Sequence, residues 1–565
     1  MIPNIRMMTA RLAALLVLAA LLCAGVQAAV AAEQTLTMSI GKMGDLGTDP
    51  TVSDTLMPGI GGSQPYHYWT HFSPLITLDS DGSIIPWMAE SYEVTDDYRT
   101  ITFHLRKGVK FADGTPLNAS VLKFNFDRII KYGLDDYAGK NSTRRWDLFM
   151  KYDYSEAIDE NTFAIHFSPG WMDMPHELAF KGTYGIFISP TDVDPVWDLK
   201  GTLKEDKKYN GLGAYYVDEN ESFSKQKVVL KRRHSWFDDY DFHKPKLDKL
   251  VLTYIADTQV AVMALEKGDI DFMGRYWNVP LDRLPEMEDN PKITIMTRHS
   301  TYLYYIATAW WKEPFNGTDG ILLRKAINYA LDRKEVVNGA LNGYATPATD
   351  AMALTPLRQD IPECCDKGYD YDLEKAKQLL AEAGWRDTNG DGVLDKDGKP
   401  LDLDLVIQDT SDLWWMKDIA LMVQSQLKEV GINIKIRSVG DSAARTEIRK
   451  KGDYDLVMNY NGGSVYSIPE NLRTFNLKGV AKNSYGNQNG ILETIAEDVV
   501  NTLSEDARNS SVCQVCDILY EEAGIIPLVY PVEYAVMSSK VKGFNIGPYS
   551  GTYFMDHIEE CWIGD

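Results

Sequence analysis

Hydrophobic and polar residues alternate with a period of two in two short stretches, residues 91–94 and 100–105, which a polar turn separates. This pattern predicts the two antiparallel strands of a hairpin. The spacing then changes, because Asn118 offers a side-chain oxygen for a helix cap and apolar residues such as Val121 and Leu122 follow at helical intervals. The segment is predicted to be a hairpin followed by an amphipathic helix, and nothing in it indicates catalytic chemistry.

Strands and helices alternate in the second half of the chain. Residues 401–407, 416–430 and 432–437 have the patterns of a strand, a helix and a strand. They predict a β-α-β unit in a mixed sheet that helices cover. Residues 293–307 are predicted to form one long β run. The whole pattern indicates an α/β protein.

The first 32 residues differ from the rest of the chain. Arg6 and Arg11 precede an uncharged run, rich in Leu and Ala, over residues 12–32. We therefore expect residues 1–32 to be a secretory signal peptide and the mature protein to be extracytoplasmic. Two alternatives are a lipoprotein that uses Cys23 and a retained anchor, since the run is long enough to span a bilayer.

Length and charge narrow the class of protein. A chain of 565 residues exceeds one hydrophobic core and predicts about three to four domains, or two large lobes. Its formal net charge of −23 at pH 7 disfavours nucleic acid as a partner and suits solubility outside the cell. The sequence contains no G-x-S-x-G or H-E-x-x-H motif and no internal repeat. A secreted hydrolase is thus a remote alternative, and an adhesin is disfavoured.

Five cysteines follow residue 32, so an odd thiol is expected to stay free or to pair between chains. The pair Cys513 and Cys516 has the spacing of a redox or zinc site, but its surroundings favour two core-facing positions on a helix. Cys364 and Cys365 follow Pro362 in a loop, from which either thiol could reach a distant cysteine. Whether they form disulfides stays open.

One loop has the spacing of a calcium site. Asp387, Asn389 and Asp391 stand at ligand positions, with Gly392 at the sharp turn. Gly398 occupies the position where the bidentate Glu belongs. We therefore expect a plain turn, with a weak Ca²⁺ site as the alternative.

The hairpin and helix belong to a longer pattern, DGSIIPWMAESYEVTDDYRTITFHLRKGVKFADGTPLNASVLKFNFDRI, which starts at Asp81. It closely resembles the extracytoplasmic solute-binding proteins of peptide and nickel ABC importers, family 5. Further blocks, RRHSWFDD, KPKLDKLVL, ALDRKEVVNGALNGYATPA and YDLEKAKQLLAEAGW, follow in the family's order over nearly the whole chain. The resemblance implies a two-lobed periplasmic-binding-protein type II fold that closes on its ligand by hinge motion.

The resemblance also implies a division into domains, with an extra subdomain inserted in the first lobe. Lobe I is expected to comprise residues 33–75, 200–297 and 533–565. The inserted subdomain covers 76–199, and lobe II covers 298–532.

The cleft between the lobes is expected to hold the ligand-binding residues. In chain order these are Tyr66, His67, Arg144, Arg145, Trp146, Lys181, Tyr302, Trp414, Tyr460 and Tyr466. His67 is the predicted metal ligand, because imidazole is the usual neutral ligand of nickel. The alternative is that His67 packs among its aromatic neighbours.

The basic and aromatic candidates have separate expected roles. Resemblance to nickel-binding members places Arg144 and Arg145, beside Trp146, where they would hold the carboxylates of a chelator bidentately. Lys181 would be a second basic anchor, and the other aromatic residues would stack on the ligand. The alternative for the basic residues is a solvated patch, and many of the aromatic residues would be core.

Two departures from the family pattern bear on the expected cargo. Peptide-binding relatives carry an Asp for the peptide's α-ammonium group, whereas this chain has no Asp between Asp455 and Asp498. A histidine of nickel-binding relatives is also missing from residues 478–488. We therefore expect a non-enzymatic monomer that delivers nickel, as a small carboxylate chelate, to an ABC permease and its ATPase subunits. Short peptides are the alternative cargo, and no catalytic cofactor is expected.

Overall fold

The computed structural model describes a large part of the chain, and all structural statements concern that part. The described residues are 33–40, 73–79, 83–137, 151–179, 187, 189–192, 211–218, 220–223, 226–233, 244–273, 279–300, 302–350, 362–410, 413, 415–462, 491–546 and 558–564. The predicted signal peptide lies outside these residues. Among them, no helix combines the length and the apolar character that crossing a membrane requires.

The strands in chain order are β1 (Thr35–Ile40), β2 (Ile76–Leu78), β3 (Ile84–Pro86), β4 (Ala89–Val94), β5 (Thr100–Leu105), β6 (Tyr152–Ala157), β7 (Thr162–Phe167), β8 (Tyr215–Val217), β9 (Lys227–Arg232), β10 (Lys249–Tyr254), β11 (Phe272–Met273), β12 (Ile293–His299), β13 (Tyr302–Thr308), β14 (Ala345–Pro347), β15 (Asp395–Lys396), β16 (Lys399–Pro400), β17 (Asp402–Gln408), β18 (Asn433–Val439), β19 (Leu456–Gly462), β20 (Ile525–Ser538), β21 (Val541–Lys542) and β22 (Trp562–Ile563).

The α-helices are α1 (Ala119–Tyr137), α2 (Met174–Ala179), α3 (Thr258–Lys267), α4 (Leu284–Glu288), α5 (Gly317–Tyr329), α6 (Arg333–Leu341), α7 (Leu373–Glu382), α8 (Trp415–Lys428), α9 (Ser442–Lys451), α10 (Ile491–Asn501) and α11 (Glu505–Glu522). Short 3₁₀ turns occupy Pro190–Asp192, Glu363–Cys365 and Ile558–Glu560.

A four-stranded sheet of order β4-β5-β7-β6 contains the predicted hairpin. Its turn is fixed by a 2.7 Å hydrogen bond from Thr95 Oγ1 to the carboxylate of Asp97. The side chain of Asn118 accepts a hydrogen bond from the backbone N–H of Val121 at 3.0 Å and so caps α1. The prediction of a hairpin followed by a capped helix is confirmed.

A mixed sheet runs through the molecule in the order β18-β17-β19-β13-β20-β11-β1-β10-β9-β8, with β12 and β14 also paired to β20. The predicted single β run over 293–307 is instead two strands, β12 and β13, both antiparallel to β20. Ser300 separates them, because its N–H bonds to Pro531 O and its hydroxyl accepts from the N–H of Tyr302. β12 pairs with residues 532–538 of β20 and β13 with residues 525–529, so the ladder is interrupted between the two strands.

Two hydrophobic cores flank this sheet. One core takes residues from β1, β5, β7, β9, β10 and α1, and includes Phe103 and Phe126. The other takes residues from β13, β17, β19, α5 to α8 and α11, and includes Leu405 and Val423. Complete burial of such a side chain contributes about 1.5–3 kcal/mol. β20 contributes to both cores, since Leu528 packs in the second core and Met537 in the first.

The predicted β-α-β unit is present as β17, α8 and β18. Strands β17 and β18 pair in parallel from Asp402↔Asn433 to Gln408↔Val439. Strand β19 is parallel to β17 on its other side. Three parallel strands therefore place their carboxyl ends at one edge of the sheet.

The cysteines correct one prediction. Cys513 and Cys516 lie on helix α11 as predicted, but they are not merely core-facing residues. Cys364 forms a disulfide with Cys513, and Cys365 forms one with Cys516. These two adjacent disulfides attach α11 to the distant 3₁₀ turn Glu363–Cys365. Among the described residues, Cys561 is the free cysteine, and burial raises the pKa of its thiol to about 12.

Candidate functional site

The carboxyl ends of β17, β18 and β19 form the edge of the sheet where a functional site is best placed. In open α/β sheets, ligands bind outside the carboxyl ends of the parallel strands. Helix α8 begins at this edge, after β17, and α9 begins there after β18. Strand β13 is antiparallel to β19, with Tyr302 opposite Gly462, so its first residues lie at the same edge.

Four aromatic side chains meet at this edge and form what we call the aromatic cluster: Tyr302, Tyr304, Trp415 and Tyr460. Tyr304 stacks on Trp415 with ring centroids 3.6 Å apart and planes 4° apart. The ring of Tyr460 lies 6.0 Å from that of Tyr302 and 6.2 Å from that of Trp415. Trp415 is 4% exposed and Tyr460 is 37% exposed, so the cluster extends from the core to the surface.

The local sequence explains how the cluster forms. Tyr302 and Tyr304 are two residues apart on β13 and therefore point to the same face. Tyr304 is directly opposite Tyr460 in the β13–β19 ladder, so that ring lies on this face too. The neighbouring Asn459 donates from Nδ2 to the hydroxyl of Tyr305 at 2.9 Å, which fixes the register. Trp415, the first residue of α8, closes the cluster.

A buried arginine lies beside the cluster. Arg445 belongs to α9, whose first turn is fixed because the N-cap Asp441 accepts a hydrogen bond from Ala444 N at 2.7 Å. Its guanidinium carbon lies 5.6 Å from the centroid of the Tyr460 ring, and its Nη1 lies 4.0 Å from Met416 Sδ. Arg445 is 8% exposed, and burial lowers the pKa of its guanidinium.

The structure describes only some of the predicted site residues. Tyr302 and Tyr460 lie together in the aromatic cluster. The other eight lie outside the described residues: Tyr66, His67, Arg144, Arg145, Trp146, Lys181, Trp414 and Tyr466. Their roles stay predictions.

Sequence reasoning missed Arg445. One signal was available, because Arg445 stands three residues before Ile448, which packs on the second core. Residues three apart share a helix face, so the arginine had to lie on the buried side of α9. A charge on a buried face is a reason to look for a partner.

The calcium-like loop is a network of local turn hydrogen bonds. The carboxylate of Asp387 accepts from Gly390 N at 2.7 Å and from Gly392 N at 3.0 Å. Asn389 Oδ1 accepts from Asp391 N at 2.9 Å. Over the described ranges, no group of three or more His, Cys, Asp or Glu side chains is arranged to hold a metal ion. The weak Ca²⁺ site stays an untested alternative.

Known proteins resemble this chain in sequence. The family model for bacterial extracellular solute-binding proteins, family 5 Middle, matches residues 83–483. The oligopeptide-binding protein AppA of Bacillus subtilis (strain 168) is 27% identical over 505 residues, which cover 87% of this chain and 86% of that protein. The nickel-binding periplasmic protein of Escherichia coli (strain K12) is 25% identical, with 85% of this chain and 86% of that protein covered.

A solved structure resembles the chain as a whole. NikA from Brucella suis, in complex with Fe(III)-EDTA, has a TM-score of 0.78 at 22% identity and covers 94% of this chain and 100% of its own. This likeness confirms the predicted two-lobed type II fold. The family match spans well over half of the chain. The chain therefore belongs to family 5 of the bacterial extracellular solute-binding proteins, the substrate-binding components of ABC importers.

Proposed function

We propose that the protein captures nickel, as a complex with a small carboxylate chelator, outside the membrane and delivers it to the permease of an ABC importer. The observation that carries the proposal is the aromatic cluster at the carboxyl ends of the parallel strands, with Tyr460 partly exposed. Aromatic rings can pack against the carbon skeleton of a chelator, while a few polar groups fix the orientation of such a ligand. A nickel-binding protein is among the relatives that cover most of the chain.

Capture requires no chemical step from the protein. The ligand binds to one lobe, and the second lobe closes over it by a hinge motion. Strand β20 packs in the second core up to Tyr530 and contributes to both cores from Ala535 onward, and between these positions the carbonyl of Pro531 accepts the N–H of Ser300. Ser300 and Pro531 are the proposed hinge. Closure would exclude water from the aromatic cluster and change the emission of Trp415.

Short peptides are the second candidate cargo. An oligopeptide-binding relative, 27% identical over 505 residues, supports it. Against it stands the absence of any Asp between Asp455 and Asp498, since a peptide's α-ammonium group needs a carboxylate partner. The nickel chelate therefore remains the better proposal.

Calorimetric titration of the metal-stripped protein separates the two cargoes. The titrants are Ni²⁺ alone, Ni²⁺ with citrate or with histidine, and a mixture of di- to pentapeptides. Tight binding only when nickel and a chelator are both present supports the proposal. Tight binding of peptides without metal would replace it with the peptide function, and turnover of ester or peptide substrates would contradict a binding protein of either kind.

A further inference from the structure

We propose that Arg445 binds a carboxylate group of the ligand and thereby selects anionic ligands at the aromatic cluster. The proposal rests on the proposed function, because it assumes that the cluster holds the captured ligand. It adds Arg445 to the candidate binding residues, which the sequence did not predict. It also requires that the ligand carry a free carboxylate. That carboxylate belongs to the chelator of a metal complex or to the end of a peptide, and the test below distinguishes these sources.

Most buried arginines of the described residues have oxygen acceptors for their N–H groups. Four arginines of the described chain are less than a tenth exposed: Arg324, Arg333, Arg445 and Arg508. Arg324 donates from Nε and Nη2 to Glu522 O at 2.9 and 2.6 Å and also faces the carboxylate of Glu522. Arg333 donates to Pro527 O at 2.7 Å and to the side-chain oxygen of Asn328 at 2.9 Å.

Arg508 and Arg445 are the two remaining cases, and they differ. Arg508 forms two hydrogen bonds with the carboxylate of Asp173, at 2.8 and 3.1 Å. Arg445 contacts the ring of Tyr460, donates to the hydroxyl of that tyrosine and contacts the sulfur of Met416, and no carboxylate of the described residues forms an ion pair with it. A buried cation without an anionic partner is costly. A bound carboxylate would remove that cost.

The orientation of Arg445 suits an acceptor in the plane of its guanidinium. The Tyr460 ring contacts the guanidinium at cation–π distance, an interaction that uses the face of the ring. Guanidinium N–H groups point outward in the guanidinium plane, and Met416 Sδ, a weak acceptor, receives one of them. The fork geometry matches a carboxylate bidentately. The ligand would then touch Tyr460 while its carboxylate meets Arg445.

Two consequences separate this role from a merely structural one. If Arg445 only supported Tyr460, its replacement by Met would destabilise the ligand-free protein. If its charge awaits a ligand, Arg445→Met removes an uncompensated cation, keeps an apolar stem of similar length, and stabilises the ligand-free protein. The same substitution weakens binding of a carboxylate ligand. Stability and affinity therefore move in opposite directions.

The test compares wild type, Arg445→Met, Arg445→Lys and Lys451→Met. Lys451 is the exposed last residue of the same helix, so its substitution removes the same charge away from the cluster. Affinities are measured by calorimetry for nickel–citrate, for alanine tripeptides, and for the same tripeptides with C-terminal amides. The thermal midpoint of each ligand-free variant is measured in parallel.

Arg445→Met is expected to bind the carboxylate probe that wild type binds at least about 30-fold more weakly. Arg445→Lys should be intermediate because it keeps the charge and loses the fork, and Lys451→Met should match wild type. Binding of nickel–citrate identifies a chelator as the source of the carboxylate, whereas tripeptide acids that bind better than their amides identify a peptide end. Ligand-free Arg445→Met should melt above wild type.

Unchanged affinity in Arg445→Met, with wild type binding, would overturn this inference and leave the proposed function intact. Equal binding of acids and amides by a wild type that does not bind nickel–citrate would do the same. A wild type that binds none of the probes would contradict the proposed function. The thermal midpoints still decide the role of Arg445 in that case, because a lower midpoint or a failure to fold in Arg445→Met overturns the inference.

Discussion

Two buried arginines on different helices show two uses of the same charge. Arg508, on α11, is 6% exposed and holds Asp173 bidentately, whereas Arg445, on α9, is 8% exposed and meets a ring and a sulfur. Asp173 lies just before α2, whose residues pack in the other core, so the Arg508 pair joins the two parts of the molecule. The charge of Arg508 serves the fold through its carboxylate partner, whereas the charge of Arg445 is, in our proposal, available to a ligand.

Disulfides provide the first way to sharpen this comparison, since they hold the helix that carries Arg508. The two bridges close loops of 149 and 151 residues and are therefore nearly redundant. Replacing Cys364 and Cys513 by Ala should lower the unfolding free energy by about 2 kcal/mol, because the other bridge still closes the long loop. Removing Cys365 and Cys516 as well should cost about 5 kcal/mol more. Urea unfolding measures the loss of unfolding free energy at each of the two steps. Equal losses on removing the first and the second disulfide would contradict redundancy.

The Arg508 pair gives the next largest effect. Arg508→Met removes both hydrogen bonds that Arg508 makes to the buried carboxylate of Asp173, so the unfolding free energy should fall by about 3–5 kcal/mol. The double variant with Asp173→Leu should recover most of that loss, because a buried pair is replaceable by apolar side chains. Chemical denaturation of the three proteins measures the changes. If Arg508→Met alone were as stable as wild type, the ion pair of Arg508 would not stabilise the fold, and the contrast with Arg445 would fail.

The pH dependence of the unfolding free energy offers a test of the same group of buried charges, because it includes Lys151. Lys151 is 4% exposed, and burial lowers its pKa to about 8, an effect that nearby Arg508 adds to and Asp173 opposes. Between pH 8 and 10 the unfolded chain binds more protons than the folded protein, so the unfolding free energy should rise with pH there. The rise attributable to Lys151 is at most about 3 kcal/mol.

Lys151→Met isolates this contribution. The difference in unfolding free energy between wild type and this variant, followed from pH 7 to pH 10, should change in favour of wild type as pH rises. A difference that stays constant with pH would show that Lys151 keeps its proton in the folded protein over this range.

The sequence predicted features that depend on neighbouring residues. The hairpin turn, the Asn118 cap and the β-α-β unit each follow from local patterns, and each is present. The turn, the cap and the unit were predictable because short stretches of chain determine them. Tyr302 and Tyr460 were expected at the cleft from the family resemblance; strand pairing brings their rings together, and their role in binding stays a prediction.

Features that depend on distant residues were not predictable in this way. The disulfides join cysteines about 150 residues apart, and spacing alone does not determine the pairing. Residues 293–307 form two strands that pair with separate parts of the distant strand β20. The position of Arg445 on a buried face could be inferred from the sequence. That no carboxylate of the described residues pairs with it is visible only in the packed structure.

The most direct test of the account is a crystal structure of the protein grown with nickel and citrate, with the metal located by anomalous scattering at the nickel edge. The account predicts a nickel peak beside the aromatic cluster, with Tyr460 against the complex and a citrate carboxylate bidentate on Arg445. A nickel complex bound away from this cluster, or a cluster that stays empty while nickel–citrate is bound, would contradict it.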